Sequence, residues 1–81
     1  MKVNVLFFAS CQDIVGEREV EVEVPEGATA ADLVAKIVSE HPRFGEIQAS
    51  LMVSVNQGYL EREGRLREGD EVAFIPPVSG G

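Results

Sequence analysis

The chain has 81 residues, 44% of them apolar and 26% charged, the balance of one small folded domain and not of a disordered tail. Its 14 acidic side chains against 7 basic ones give a net charge of −7, which argues against nucleic acid and anionic membranes, since both select clustered lysine and arginine. A chain this short buries a modest core, enough for a shallow sheet and one good helix but not for a self-contained enzyme with a deep cleft.

Cys11 is the single cysteine, so no internal disulfide forms. No pair of cysteines or histidines stands at ligand spacing, and no metal site is expected. No apolar stretch approaches the ~20 residues of a membrane span. The opening Met1-Lys2-Val3-Asn4-Val5 alternates like a strand instead of resembling a signal peptide, and a cytoplasmic setting is expected.

From Lys2 to Phe8 the alternation puts Val3, Val5 and Phe7 on one face and Asn4, Leu6 and Phe8 on the other. Leu6 and Phe8 therefore need cover from outside the main core. Ser10-Cys11-Gln12-Asp13 has capping-box spacing for a short helical turn, which Gly16 closes. Glu19 to Val24 reads Glu-Val-Glu-Val-Glu-Val, a strand with one wet and one buried face. After the Pro25-Glu26-Gly27 turn, Thr29 with Asp32 predicts a capped helix over Ala30 to Glu40. Its apolar stripe is Ala30, Leu33, Val34, Ile37 and Val38, and His41-Pro42 ends it.

Phe44 and Ile47 then anchor the connection, and Leu51 to Asn56 forms a third strand with Leu51, Val53 and Val55 inward. Gln57-Gly58 turns the chain into a short strand at Tyr59-Leu60. Arg65-Leu66 pairs locally, and Glu68-Gly69-Asp70 makes a tight turn. The last strand, Asp70 to Ile75, points Val72 and Phe74 inward and Ala73 and Ile75 outward.

One helix can cover only one face of a four- or five-stranded mixed sheet. The order strand, strand, helix, strand, short strand, strand, with a right-handed helical crossover, is the α+β arrangement of the ubiquitin-like β-grasp. A ferredoxin-like fold would need a second full helix, and Gln57 to Asp70 carries no helical stripe. The domain is expected over residues 1–75 and a flexible tail over 76–81.

That tail is Pro76-Pro77-Val78-Ser79-Gly80-Gly81. The prolines stop the sheet, and the glycines offer bare backbone that a narrow channel can admit. Six extended residues reach ~20 Å, far enough to carry the Gly81 carboxylate into a partner's active site. Joined to AMP, a carboxylate becomes a mixed anhydride, which a sulfur donor converts to a thiocarboxylate. The bland alternative is a frayed terminus.

Val5-Leu6-Phe7-Phe8-Ala9, the Val55-Asn56-Gln57 step and the run Gly69 to Gly81 resemble the small subunit of molybdopterin synthase over the full length. The C-terminal run is the most specific part. The resemblance implies a sulfur carrier in molybdenum cofactor synthesis, not an enzyme on its own and without a bound cofactor. A ubiquitin-activating-type adenylyltransferase, using ATP and a sulfur donor, would adenylate and thiocarboxylate Gly81. The tail would then deliver sulfur to cyclic pyranopterin monophosphate in the large subunit, within a heterotetramer. Phe8, Tyr59 and Ile75 would make the partner-binding patch, and Gln12 departs from the arginine that can stand in the early turn.

Other functions share parts of this pattern. The same terminal chemistry serves carriers for thiamine thiazole or tRNA thiolation, and a protein modifier would join Gly81 to lysine. A plain β-grasp binding module would have an inert tail. Among single residues, Cys11 reads as inert for want of a second cysteine or placed histidine, and His41 as a helix-end residue. Glu19, Glu21 and Glu23 read as a solvated strand face. Arg62, Arg65 and Arg67 are interleaved with Glu61, Glu63 and Glu68, which neutralises any phosphate-binding patch. Phe8 and Ile75 could also complete a small secondary core under a loop.

Overall fold

Val3, Val5 and Phe7 are fully buried in the computed structural model, which describes residues 1–59 and 61–77, and they mark the core side of the first strand. That strand, β1 (Lys2–Phe7), pairs antiparallel with β2 (Glu19–Glu23) through Val3↔Val22 and Val5↔Val20. β3 (Met52–Val55), β4 (Gly58–Tyr59) and β5 (Glu71–Ile75) complete a five-stranded sheet in the order β2-β1-β5-β3-β4. β5 lies parallel to β1 and antiparallel to β3, so the first and last strands meet in the middle of the sheet. This is the ubiquitin-like β-grasp that the residue pattern predicts.

Two helices accompany the sheet, a short α1 (Ser10–Val15) and the main α2 (Ala30–Glu40). α2 forms where its stripe and cap predict. The Thr29 hydroxyl accepts from the Asp32 N–H at 3.2 Å, and the Asp32 carboxylate accepts from the Thr29 N–H at 2.9 Å. The next free donors are also met, because the Ala30 and Ala31 N–H groups donate to the carbonyls of Gly64 and Arg62. Leu33, Val34 and Ile37 carry the helix onto the core face of the sheet.

Between α2 and β3 the chain makes two 3₁₀ turns, Pro42–Glu46 and Gln48–Ser50, which the sequence pattern left as a connection. Phe44 anchors them as expected. Its ring stands edge-on to Phe7 and Phe74, with centroids 6.0 and 5.5 Å away. All three rings are buried, so this cluster ties the connection to both central strands. The Arg62 guanidinium donates to the carbonyls of Gln48 and Leu51, holding the second turn from the other side.

Two local expectations shift. Ser10 does not cap α1: it is the first helical residue, and Ala9 holds the cap position at φ 50° and ψ −124° with no side-chain cap bond. A reversal closed by the Cys11 N–H on the Phe8 carbonyl, at 2.9 Å, replaces the capping box. Its reward is packing, because it drops the Cys11 side chain into the core. The β3–β4 hairpin turns at Asn56-Gln57, both at positive φ, with Gly58 already in β4. Asn56 is pinned there by its side chain, which accepts from the Glu71 N–H and donates to Asp70, each at 3.0 Å. The third strand is accordingly shorter than Leu51 to Asn56, and the second half of the expected Tyr59-Leu60 strand lies outside the described residues.

Candidate docking face

The helix leaves the other face of the sheet open, and the register fixes which side chains line it. Met52 pairs with Ile75, and Phe8, one residue past β1, extends the Phe7↔Phe74 register to stand beside Ile75. Its N–H donates to the Phe74 carbonyl at 3.3 Å. Phe8, Ile75 and Met52 therefore form one apolar row across three strands, at the end of the sheet where β5 passes into Pro76 and Pro77. The next row runs Glu19, Leu6, Ala73, Ser54, Tyr59.

Phe8 is 45% exposed, Met52 44% and Tyr59 77%. That exposure removes the reading of Phe8 as part of a small core under a loop. Phe8 and Ile75, named from the sequence, come together; Tyr59 stands one row away on the last strand. Met52 was missed, although its signal was present: with Leu51, Val53 and Val55 inward, period two sends Met52 outward. A hollow of about 260 Å³ lined by Leu6, Phe7, Phe8, Arg18 and Glu19 adjoins the row.

β2 gives this face an acidic flank. Glu19, Glu21 and Glu23 are exposed there, with the Asn4 amide donating to Glu19 and the Lys2 ammonium 3.8 Å from Glu21. Such an exposed pair adds little stability. The flank is a solvated strand face, as the alternation predicts.

Pro76 is half-buried and Pro77 exposed, whereas Val78, Ser79, Gly80 and Gly81 lie outside the described residues. Gln12 is exposed on α1. Cys11 is buried, and burial pushes its thiol up to about 11, against a smaller opposing effect of a backbone hydrogen bond. A relay thiolate needs the opposite shift. His41 closes α2 by donating its N–H to the Ile37 carbonyl at 2.8 Å. Among the described residues, no three His, Cys, Asp or Glu side chains converge on a possible metal position, and no helix is long and apolar enough to cross a membrane.

Among the described residues the three arginines make no ion pair with the interleaved glutamates. Arg62 is used on backbone carbonyls, and the ion pair found among the described residues is Lys2–Glu21 alone. Arg65 and Arg67 instead border a hollow of about 300 Å³ with Val55, Asn56, Gly58, Tyr59 and Asp70. Glu61 and Glu63 belong to the turn closed by the Gly64 N–H on the Glu61 carbonyl, and Glu68 to the turn closed by the Asp70 N–H on the Arg67 carbonyl.

A β-grasp sheet whose open face carries an apolar row beside the exit of its last strand places the chain in the ubiquitin-like fold class, which includes carriers, modifiers and binding modules. The sequence matches the ThiS family over residues 5–81. It is 37% identical over 83 residues to the molybdopterin synthase sulfur carrier subunit of Chlamydomonas reinhardtii, covering 100% of both chains. The corresponding subunit of Mycobacterium tuberculosis (strain ATCC 25618 / H37Rv) is 40% identical over 83 residues, with 100% of this chain and 99% of that one covered. Among solved structures, a molybdopterin converting factor, subunit 1, from Pyrococcus furiosus superposes with a TM-score of 0.86 at 35% identity, over 95% of this chain and 98% of that one. The chain belongs to the ThiS family and, within it, groups with the molybdopterin synthase sulfur carrier subunits.

Proposed function

We propose that this chain is the sulfur-carrier subunit of a molybdopterin synthase, working in the cytoplasm as a donor and not as a catalyst. The observation that carries the reading is the apolar row Phe8-Ile75-Met52, set at the point where β5 hands the chain to Pro76-Pro77. A partner that covers this row also lies against the exit of β5 at Pro76-Pro77. The full-length likeness to named sulfur carriers supplies the chemistry.

In that chemistry the Gly81 carboxylate attacks the α-phosphate of ATP, releasing pyrophosphate and leaving an acyl adenylate. The outer sulfur of a persulfide donor then adds to the acyl carbon and AMP departs, leaving an acyl disulfide. A thiol of the activating partner attacks the donor's sulfur, so that the S–S bond breaks, the thiocarboxylate leaves and the two partner sulfurs end as a disulfide. ATP and sulfur donor belong to the activating, ubiquitin-activating-type partner. The thiocarboxylate next attacks cyclic pyranopterin monophosphate in the large synthase subunit. Two such deliveries build the dithiolene, and hydrolysis frees the carboxylate for another cycle. Gly80 and Gly81 would admit the chain to both active sites without a Cβ to obstruct it.

The test is intact mass after incubation with an activating enzyme, ATP and a sulfur donor. The expected product is heavier by the difference between sulfur and oxygen and is competent to sulfurate the pterin with the large subunit. Adding an alanine after Gly81 moves the carboxylate ~3.5 Å out of register, and because ~1 Å of misplacement can cost ~100-fold in rate, this variant should fold yet fail. Wild-type rates for the extended chain would overturn the proposal, as would isopeptide adducts in place of thiocarboxylate.

A further inference from the structure

We propose that the groove beside β4 is a second docking surface, which takes an extended acidic segment of a partner protein through Arg65 and Arg67. Leu66 between them is buried, whereas Arg65, bridged to Thr29, and Arg67 are both exposed. They border the hollow of about 300 Å³ together with Asn56, Gly58 and Tyr59. No carboxylate of the described residues pairs with either one, in a chain with 14 of them.

Asp70, the acid that lines the same hollow, does not serve them. One of its oxygens accepts from the Asn56 amide at 3.0 Å and the other from the Arg67 backbone N–H at 2.8 Å. The groove thus presents two planar donors suited to carboxylates and no competing carboxylate oriented to meet them.

The form of the occupant follows from the sheet. β4 is its last strand and is paired only with β3 among the described residues, which leaves an edge to which an extended peptide can add. Two cations on a molecule of net charge −7 do not hold a polyanion such as nucleic acid, whose affinity grows with many neutralised phosphates. A short acidic strand needs only these two. The position is also separate from the apolar row: Val55 pairs with Val72, whereas Met52 pairs with Ile75, three residues (roughly 10 Å) along the strands. A partner on this groove therefore leaves Phe8, Met52 and the exit of β5 accessible. The proposal stands independently of the sulfur-carrier reading.

The experiment is an NMR titration of the ¹⁵N-labelled full chain at low salt with a ten-residue peptide alternating glutamate and threonine. The expected result is saturable shifts centred on Gly58, Tyr59, Arg65 and Arg67, weakened by added salt. An R65E/R67E variant should bind at least about tenfold more weakly, while R65K/R67K, which keeps the charge but loses the planar fork, should fall between it and the wild type. Neither guanidinium side chain makes a hydrogen bond in the described fold, so both variants should retain the native spectrum; single R65Q and R67Q changes provide milder versions with intermediate losses. The proposal is overturned if the peptide produces no shifts, if a lysine–threonine peptide binds equally, or if charge reversal leaves binding unchanged. It is equally overturned if inorganic phosphate or a thymidine decamer occupies the groove at lower concentration than the peptide.

Discussion

Cys11 shows how completely a residue's surroundings decide its chemistry. Its sequence context, a short turn without a second cysteine or a placed histidine, reads as inert, and the Phe8–Cys11 reversal buries it. Burial raises the thiol from an ordinary 9.0 to about 11. Folding thus favours the protonated form, and the associated stability is present in full below about pH 9. It is lost as the pH rises toward 11, because the unfolded chain releases its proton first; the loss amounts to about 2–3 kcal/mol. Urea midpoints measured between pH 8 and 11 should fall more steeply for the wild type than for Cys11→Ala, which removes this titration while leaving Tyr59 and the lysines in place. Parallel curves would show that burial of the thiol does not govern alkaline stability.

At the scale of elements, the β3–β4 hairpin carries a local cost. Asn56 tolerates positive φ and is held by Asp70 and Glu71, but Gln57 has φ 72° without such compensation among its described contacts. Two-residue hairpins of this kind favour Asn-Gly. Gln57→Gly should therefore stabilise the fold by about 0.5–1 kcal/mol, read as a higher urea midpoint at unchanged slope. A lower midpoint would mean that Gln57 makes a stabilising contribution stronger than its backbone strain.

The same element shows what was legible in the sequence. α2 was readable to both ends because Thr29, Asp32 and Pro42 act locally, and a local signal lies within a few residues. β1, β2 and β5 were readable from alternation to within a residue. The hairpin shifted by one position because Asn56 is fixed by partners fourteen and fifteen residues away, which no local pattern reveals. The α1 cap failed for a similar reason, since tertiary burial of Cys11 outweighed a capping box. In the docking face, Phe8 and Ile75 followed from period two, and Met52 was available by the same rule. Their adjacency depended on strand order, which alternation does not encode. Whether arginines meet glutamates is likewise a question of three-dimensional direction.

On the scale of the whole molecule, the division between a helix-covered face and an open one separates stability from partnership. Phe7, Phe44 and Phe74 hold the interior, whereas Phe8 and Met52, near the same strands, face solvent. Phe8→Asp and Met52→Asp should each leave thermal unfolding within a few degrees of wild type. Each should nevertheless weaken binding to the large synthase subunit by about 2–4 kcal/mol, the scale of an interface hot spot. Calorimetric affinities indistinguishable from wild type would place the partner elsewhere.

The parallel pairing of β1 with β5 reaches further still. A strand made at the start of synthesis waits beside an empty lane in the sheet until a strand nearly seventy residues later arrives. Contacts of such long separation close late in folding, and here they also seat Phe74 against Phe7 and bring Ile75 beside Phe8 and Met52. An interrupted chain that stops short of β5 lacks both its keystone and its apolar row. Completion of the fold and assembly of the row Phe8-Ile75-Met52 are consequently one event, and a copy truncated before β5 presents no such row.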